Sequence, residues 1–214
     1  MRLSDRGATL IANFEGFRSH PYRDAVGVPT IGYGSTRGVT MSSPPVTRAQ
    51  ALARLKREAN ATYGAAVDRL NREHKLGLNQ NQFDALTSFT YNVGPGGIGP
   101  DTGIGRALRR KQWRVAADEL LEWNRAGGRV LEGLTRRRRE ERKLFLTPPP
   151  IAYSKLERHN LARLGSKDPA VRRRARGRLE AQARRIQRQA RGERNGWAKH
   201  DRGRRYQGIR RRLR

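Results

Sequence analysis

Glu15 and Asp24 are two carboxyl groups nine residues apart, and a threonine hydroxyl, Thr30, follows six residues later. Their surroundings differ in a way that matters chemically. Glu15 falls near the C-terminal end of a helix expected from Ser4 onward, beside Phe14, Gly16 and Phe17. The negative end of the helix dipole and the apolar neighbours both disfavour a charged carboxylate there. A carboxyl that keeps its proton near neutral pH can act as a general acid. Asp24 lies in a polar loop beside Arg23, a setting for a charged carboxylate that serves as a base or as an electrostatic stabiliser. Two carboxyls pushed toward opposite protonation states are the usual machinery of glycoside hydrolysis. Thr30, after Pro29, offers a hydroxyl that could hold a water. Acids in loop-rich stretches are most often solvated surface groups, so the pair needs a frame that brings it together.

That frame is legible as an α+β domain, mostly helical with one small hairpin sheet near the N-terminus. Ser4 is an N-cap, and Leu10, Ile11, Phe14 and Phe17 line one face of the helix it opens. From Pro21 to Gly34 the register switches to short β-prone runs punctuated by Gly27, Pro29, Gly32 and Gly34. Thr47-x-x-Gln50 is a capping box, opening a long helix with a stripe of Leu52, Leu55, Ala59, Ala66, Val67 and Leu70. Asn79-x-x-Gln82 opens another, which buries Phe83, Leu86, Phe89, Thr90 and Val93 and stops at Gly94-Pro95. Further helices are expected at Asp101–Lys111, Trp113–Asn124 and Thr135–Leu146. Trp113 and Trp123 read as core residues.

The prolines at 148–150 break the chain into a domain of residues 1–147, a linker 148–150 and an extension 151–214. The formal net charge is +28, and the extension alone holds 22 Lys/Arg against 5 Asp/Glu. Such a chain seeks polyanions. In the extension, Asp168-Pro169 marks a helix start. Val171, Ala175, Leu179, Ala183, Ile186 and Ala190 then form a thin apolar stripe among arginines, as on a helix lying at a membrane surface. A shorter helix, Ser154 to Leu164, is expected before it, and disorder beyond about Gly192. There is no cysteine, which excludes disulfides, thiol catalysis and thiolate metal sites. The four histidines lack ligand spacing, so neither a metal nor a cofactor is expected. The first residues lack the apolar run of a signal peptide. The expected location is therefore the cytoplasm until the membrane opens, and then the space beyond it.

The segment Glu15-x8-Asp24-x5-Thr30, reading EGFRSHPYRDAVGVPTIGYGST, resembles the active-site signature of phage-type lysozymes, glycoside hydrolase family 24. Asn79–Gly94, NQNQFDALTSFTYNVG, is similar to the central core helix of that family. Gly127–Phe145, GGRVLEGLTRRRREERKLF, is similar to its closing segment. The three blocks span about residues 4–147 in the family's order. The resemblance implies a lysozyme-like fold and hydrolysis of the β-1,4 bond between N-acetylmuramic acid and N-acetylglucosamine in peptidoglycan, with inversion. It makes Glu15 the proton donor, puts Asp24 on the opposite face of the sugar and has Thr30 position the attacking water. It also implies an arginine from the closing segment paired with the glutamate, Arg137 first and Arg136 second. Tyr33, beside Thr30, is a candidate to line the substrate site. Ser35 stands where some family members have histidine, which removes a salt bridge between lobes rather than a catalytic group.

Two other functions compete. A nucleic-acid-binding protein would use the arginine-rich extension, but no recognised module is present and no specific nucleic acid is expected. A lytic transglycosylase would need one acid and no water site, whereas Asp24 and Thr30 supply one. The expected partners are peptidoglycan and, through residues 151–214, an anionic membrane or lipopolysaccharide. A monomer is expected.

Overall fold

The computed structural model describes residues 1–148, 153–192 and 196–213. It divides into two compact units, Met1–Thr147 and Pro148–Arg214. The expected linker residues 149 and 150 lie outside the described residues.

In the first unit, Ser4 caps α1 (Asp5–Glu15) by accepting from the Gly7 amide. The same Ser4 donates its amide and hydroxyl to Asp84, which is fully buried and also accepts from Gln80. This ties the start of α1 to the central helix. The end of α1 is equally defined. Gly16 takes φ +72°, the left-handed region that favours glycine, and turns the chain away directly after Glu15. An antiparallel hairpin follows, β1 (Arg18–Arg23) with β2 (Pro29–Gly32), pairing Tyr22 with Thr30 and Arg18 with Gly32. Its register slips between Arg18 and Tyr22, where Pro21 withdraws a donor from the ladder. A Cβ on Gly32 would stand 2.9 Å from the Ala51 Cβ, so glycine lets the hairpin lie against the next helix.

The helix opened by the Thr47/Gln50 capping box is α2 (Arg48–Ala59). It continues through a π-turn at Asn60–Gly64 into α3 (Ala65–Glu73). The π-turn adds a residue to the repeat and shifts the buried face. Ala51, Leu55 and Ala59 are buried before it, and Val67 and Leu70 after it, while Ala66 falls to the flank. The turn also frees the Asn60 side chain to accept from the Leu3 amide at 2.8 Å.

Helix α4 (Gln80–Val93) has the Asn79/Gln82 capping box, and every residue from Asn81 to Thr90 is buried. It is the axle of a core that gathers Phe83, Leu86, Phe89, Ile104, Leu108, Leu120 and Phe145. Around it stand α5 (Gly103–Arg109), α6 (Trp113–Glu119) and α7 (Glu132–Leu146). A second hairpin, β3 (Arg125–Ala126) with β4 (Arg129–Val130), turns at Gly127-Gly128 and was not expected. Trp123 meets Phe89 edge-on at 5.4 Å, and both it and Trp113 pack on this core. A second cluster, Leu3, Ala8, Ile11, Tyr33, Leu55 and Ala59, holds α1, the hairpin and α2 together.

Among its described residues the second unit holds three helices: α8 (Lys155–Arg163), α9 (Pro169–Gly192) and α10 (Gly196–Leu213). Two sequence expectations are corrected here. Ala175, Leu179, Ala183 and Ile186 are not a membrane-facing stripe, because they are buried with Ile209 and Leu213 in the unit's own core. The disorder expected beyond Gly192 gives way to helix over 196–213, since Ile209 and Leu213 recur four apart and seat on that core. Residues 193–195 lie outside the described residues. Glu157, fully buried, accepts from Arg205 through both oxygens and completes a capping box with Ser154. Burial alone would raise its carboxyl, but the hydrogen bonds from Arg205 and Ser154 outweigh this and hold it below the ordinary carboxylate range.

A carboxyl lowered in the folded state contributes stability that is full above the unfolded value, about 4.3 for glutamate. That contribution is lost as pH falls through the lowered folded value. Glu157→Gln should therefore speed amide exchange in 153–213 by roughly tenfold or more near neutral pH, and this excess should shrink on acidification. Amides of residues 1–147 serve as the internal reference. Unchanged exchange in 153–213 would contradict the role given to Glu157.

Candidate active site

Glu15 is the last residue of α1, and its side chain is 25% exposed. Its Oε1 accepts from Arg137 Nη1 at 2.7 Å, while Oε2 has no hydrogen-bond partner among the described residues. Arg137 comes from α7 and is itself buried. Its remaining nitrogens are also engaged: Nε donates to Glu141 Oε1 at 3.2 Å and Nη2 to the Ser88 carbonyl at 3.2 Å. The guanidinium also lies 5.5 Å from the centre of the Phe14 ring. One cation from the closing helix thus fixes the carboxyl at the end of the first.

The adjacent arginine points inward as well. A four-arginine run covers all faces of a helix, and here two of its members are buried, Arg137 and Arg138, while Arg136 is exposed. Arg138 donates to Asn92 Oδ1 at 2.6 Å and lies over Phe89. Its Nε stands 3.1 Å from Glu141 Oε2 but off the hydrogen-bond direction, so that contact is Coulombic. Glu141 is fully buried and accepts from the Ser88 hydroxyl at 2.7 Å. Burial pushes its carboxyl above the ordinary range, opposed by Arg138, Arg137 and the Ser88 hydroxyl. Burial likewise lowers the Arg138 guanidinium, against the pull of Glu141. Tyr91 is raised too, first by burial and then by the nearby Glu15 charge. Glu141, Arg138, Ser88 and Asn92 were absent from the sequence reading of the site. The i, i+4 spacing of Arg137 and Glu141 was the available signal.

Asp24 sits at the turn of the first hairpin, where its Oδ1 accepts from the Val26 and Val28 amides at 3.0 and 2.9 Å. Its own amide donates to the Val28 carbonyl at 3.0 Å. The side chain thereby templates the turn, and Oδ2 has no partner among the described residues. Thr30 is buried on β2, and its hydroxyl donates to the Val28 carbonyl at 3.0 Å. With that proton engaged, what the oxygen can offer a water is a lone pair. Among the described residues no hydrogen bond joins Glu15, Asp24 and Thr30, which suits carboxyls that must flank a sugar.

Tyr33 is corrected. Its ring is buried against Phe17 at 5.4 Å within the first lobe's core, so it packs rather than presenting a platform for sugar. Ser35 is buried and donates to Glu58 at 2.7 Å, and Glu58 in turn pairs with Arg54. A hydroxyl-to-carboxylate hydrogen bond to α2 stands where an ion pair was the alternative. A cavity of about 970 Å3 beside α2 and α3 is lined by Leu3, Asp5, Leu52, Lys56, Asn60 and Asp68, among others. It includes none of the three candidate catalytic residues. Among the described residues no acid or histidine cluster could hold a metal ion.

A mainly helical unit with a small hairpin sheet after an acid-ended first helix is a lysozyme-like fold. The chain belongs to the phage lysozyme family, whose model it matches over residues 12–141. It is 39% identical to the endolysin of Bacillus phage B103 over 152 residues, 69% of this chain and 55% of that protein. The chain thus spans a little over half the length of that relative. The endolysin of Salmonella phage P22 is 37% identical, covering 69% of this chain and 99% of its own length. Among solved structures, the muramidase domain of SpmX from Asticaccaulis excentricus superposes with a TM-score of 0.60 at 34% identity. That match covers 69% of this chain and 99% of that one.

Glu141→Gln would leave two buried guanidinium groups without their shared counter-charge. Urea unfolding should show a loss of roughly 3 kcal/mol or more, against about 0.5 kcal/mol or less for exposed Arg136→Gln. Equal effects of the two substitutions would remove the buried cluster from its structural role.

Proposed function

We propose that the Met1–Thr147 unit is an endolysin-type N-acetylmuramidase. It would hydrolyse the β-1,4 bond between N-acetylmuramic acid and N-acetylglucosamine in peptidoglycan and lyse the host. The observation that carries the reading is the Glu15 carboxyl, with one oxygen fixed by buried Arg137 and the other free at a partly exposed surface. In this scheme Glu15 Oε2 protonates the leaving glycosidic oxygen. Asp24, with Oδ2 free, stabilises the developing positive charge or activates water on the opposite face. Thr30 accepts a hydrogen bond from that water and holds it for attack. Membership of the phage lysozyme family, and relatives named as endolysins and as a muramidase domain, support the same reading.

The reading extends to the basic unit, which we take to be separable from catalysis and to hold the enzyme near anionic wall polymer, lipopolysaccharide or membrane. With Leu179, Ala183, Ile186, Ile209 and Leu213 enclosed, its attraction is electrostatic and not insertion, so it falls steeply with salt.

The chemistry is checked by mass spectrometry of digested peptidoglycan. The wild-type chain should release muropeptides with new reducing ends, whereas anhydro products would establish a transglycosylase. Glu15→Gln should lower turnover about a hundredfold or more with melting nearly unchanged, because it removes the transferable proton. Asp24→Asn should be severely impaired as well. Near-wild-type turnover in Glu15→Gln would remove the acid assignment.

A further inference from the structure

The second unit contains a small niche for which the proposed hydrolysis has no use. Helix α8 presents Asn160 and Arg163, three residues apart, and α9 presents Val171, Arg174, Ala175 and Arg178 along one face. Together they line a cavity of about 80 Å3. A water needs about 10–15 Å3 of such space, so the niche has room for several waters or for a tetrahedral oxyanion.

Its lining is prepared for an anion. Among the described residues Arg174 and Arg178 are exposed and make no ion pair or hydrogen bond, and the Arg163 guanidinium hydrogen-bonds with His159 alone. Three acids of this unit are engaged elsewhere. Glu157 binds Arg205, Glu180 pairs with Arg176, and Asp168 accepts from the Ala170 amide. The second, independent observation is Asn160. It is 1% exposed, yet among the described residues neither its Oδ1 nor its Nδ2 has a hydrogen-bond partner. A buried amide without partners is costly and rare, and a ligand with both acceptors and a donor would satisfy it.

We propose that this niche binds the phosphate of a phosphomonoester. Its oxygens accept from the guanidinium groups and Asn160 Nδ2, and in the singly ionised form, which is favoured below about pH 6, a P–OH donates to Oδ1. A phosphodiester has no such hydroxyl and bears two substituents, where an end-on niche admits one. The inference rests on the reading of this unit as an anion-seeking module and narrows it to one chemical group.

The test measures inorganic phosphate binding by calorimetry on the full-length chain. It also measures binding to phosphatidylcholine vesicles doped with phosphatidic acid, a monoester, or with phosphatidylglycerol, a diester, at matched surface charge. Arg174→Gln/Arg178→Gln and Asn160→Leu should each weaken phosphate binding roughly tenfold or more. They should also abolish a preference for phosphatidic acid. Arg184→Gln/Arg188→Gln removes the same charge outside the niche and should change affinity about twofold or less. The arginine doubles alter only exposed side chains, so they report even if Asn160→Leu perturbs the helix pair. Equal losses in the two doubles, or no preference for the monoester in the wild-type chain, would overturn the niche. A preference for phosphatidic acid that survives in the niche variants would remove the site while leaving the module's attraction to anions standing.

Discussion

The Met1–Thr147 unit is organised around a guanidinium. Arg137 is buried, and it reaches the end of α1 at Glu15, the backbone of α4 at Ser88 and its own helix at Glu141. A planar fork with several fixed donors can join three directions at once, which a lysine ammonium on a flexible stem does less well. Burying that charge is costly in isolation. Glu141 answers it and is itself fixed by the Ser88 hydroxyl from α4, so the Glu15 carboxyl is held by a network and not by a single pair. The neighbouring Arg138–Asn92 bond links α7 again to the end of α4.

The rest of the unit serves to keep the two ends of that network in place. Asp84 ties the N-terminus of α1 to α4, and Gly16 ends α1 one residue after Glu15. Gly32 allows the hairpin to approach α2 closely, and Ser35 adds a bond to Glu58 there. Asp24 and Glu15 follow one design. Each carboxyl gives one oxygen to fixed donors, and its other oxygen has no hydrogen-bond partner among the described residues. In Asp24 the donors are turn amides, so the hairpin fold and the placement of the carboxyl are one event.

Much of this was legible in the sequence because it is local. The capping boxes at Thr47/Gln50 and Asn79/Gln82, the Ser4 cap and the Asp168-Pro169 start all involve residues a few positions apart, and the helices begin there. Glu15, Asp24 and Thr30 stood out through spacing and family likeness. What escaped depends on long-range packing. Nothing local says that Arg138 enters the core beside Arg137, or that Tyr33 turns its ring to Phe17. The π-turn at Asn60–Gly64 interrupts a repeat that looked continuous. The thin stripe of α9 has the same periodicity whether it faces lipid or protein, and Ile209 and Leu213, in an arginine-rich stretch, gave little sign that they would cover it.

The central claim is that the carboxyl anchored by Arg137 is the one that meets the scissile bond. A crystal structure of the Glu15→Gln variant with a peptidoglycan tetrasaccharide tests this most directly. The account predicts a glycosidic oxygen roughly 3 Å from the side chain of residue 15, with Asp24 and Thr30 across the sugar ring. A saccharide seated without contact to residue 15, as in the cavity lined by Lys56 and Asp68, would contradict it.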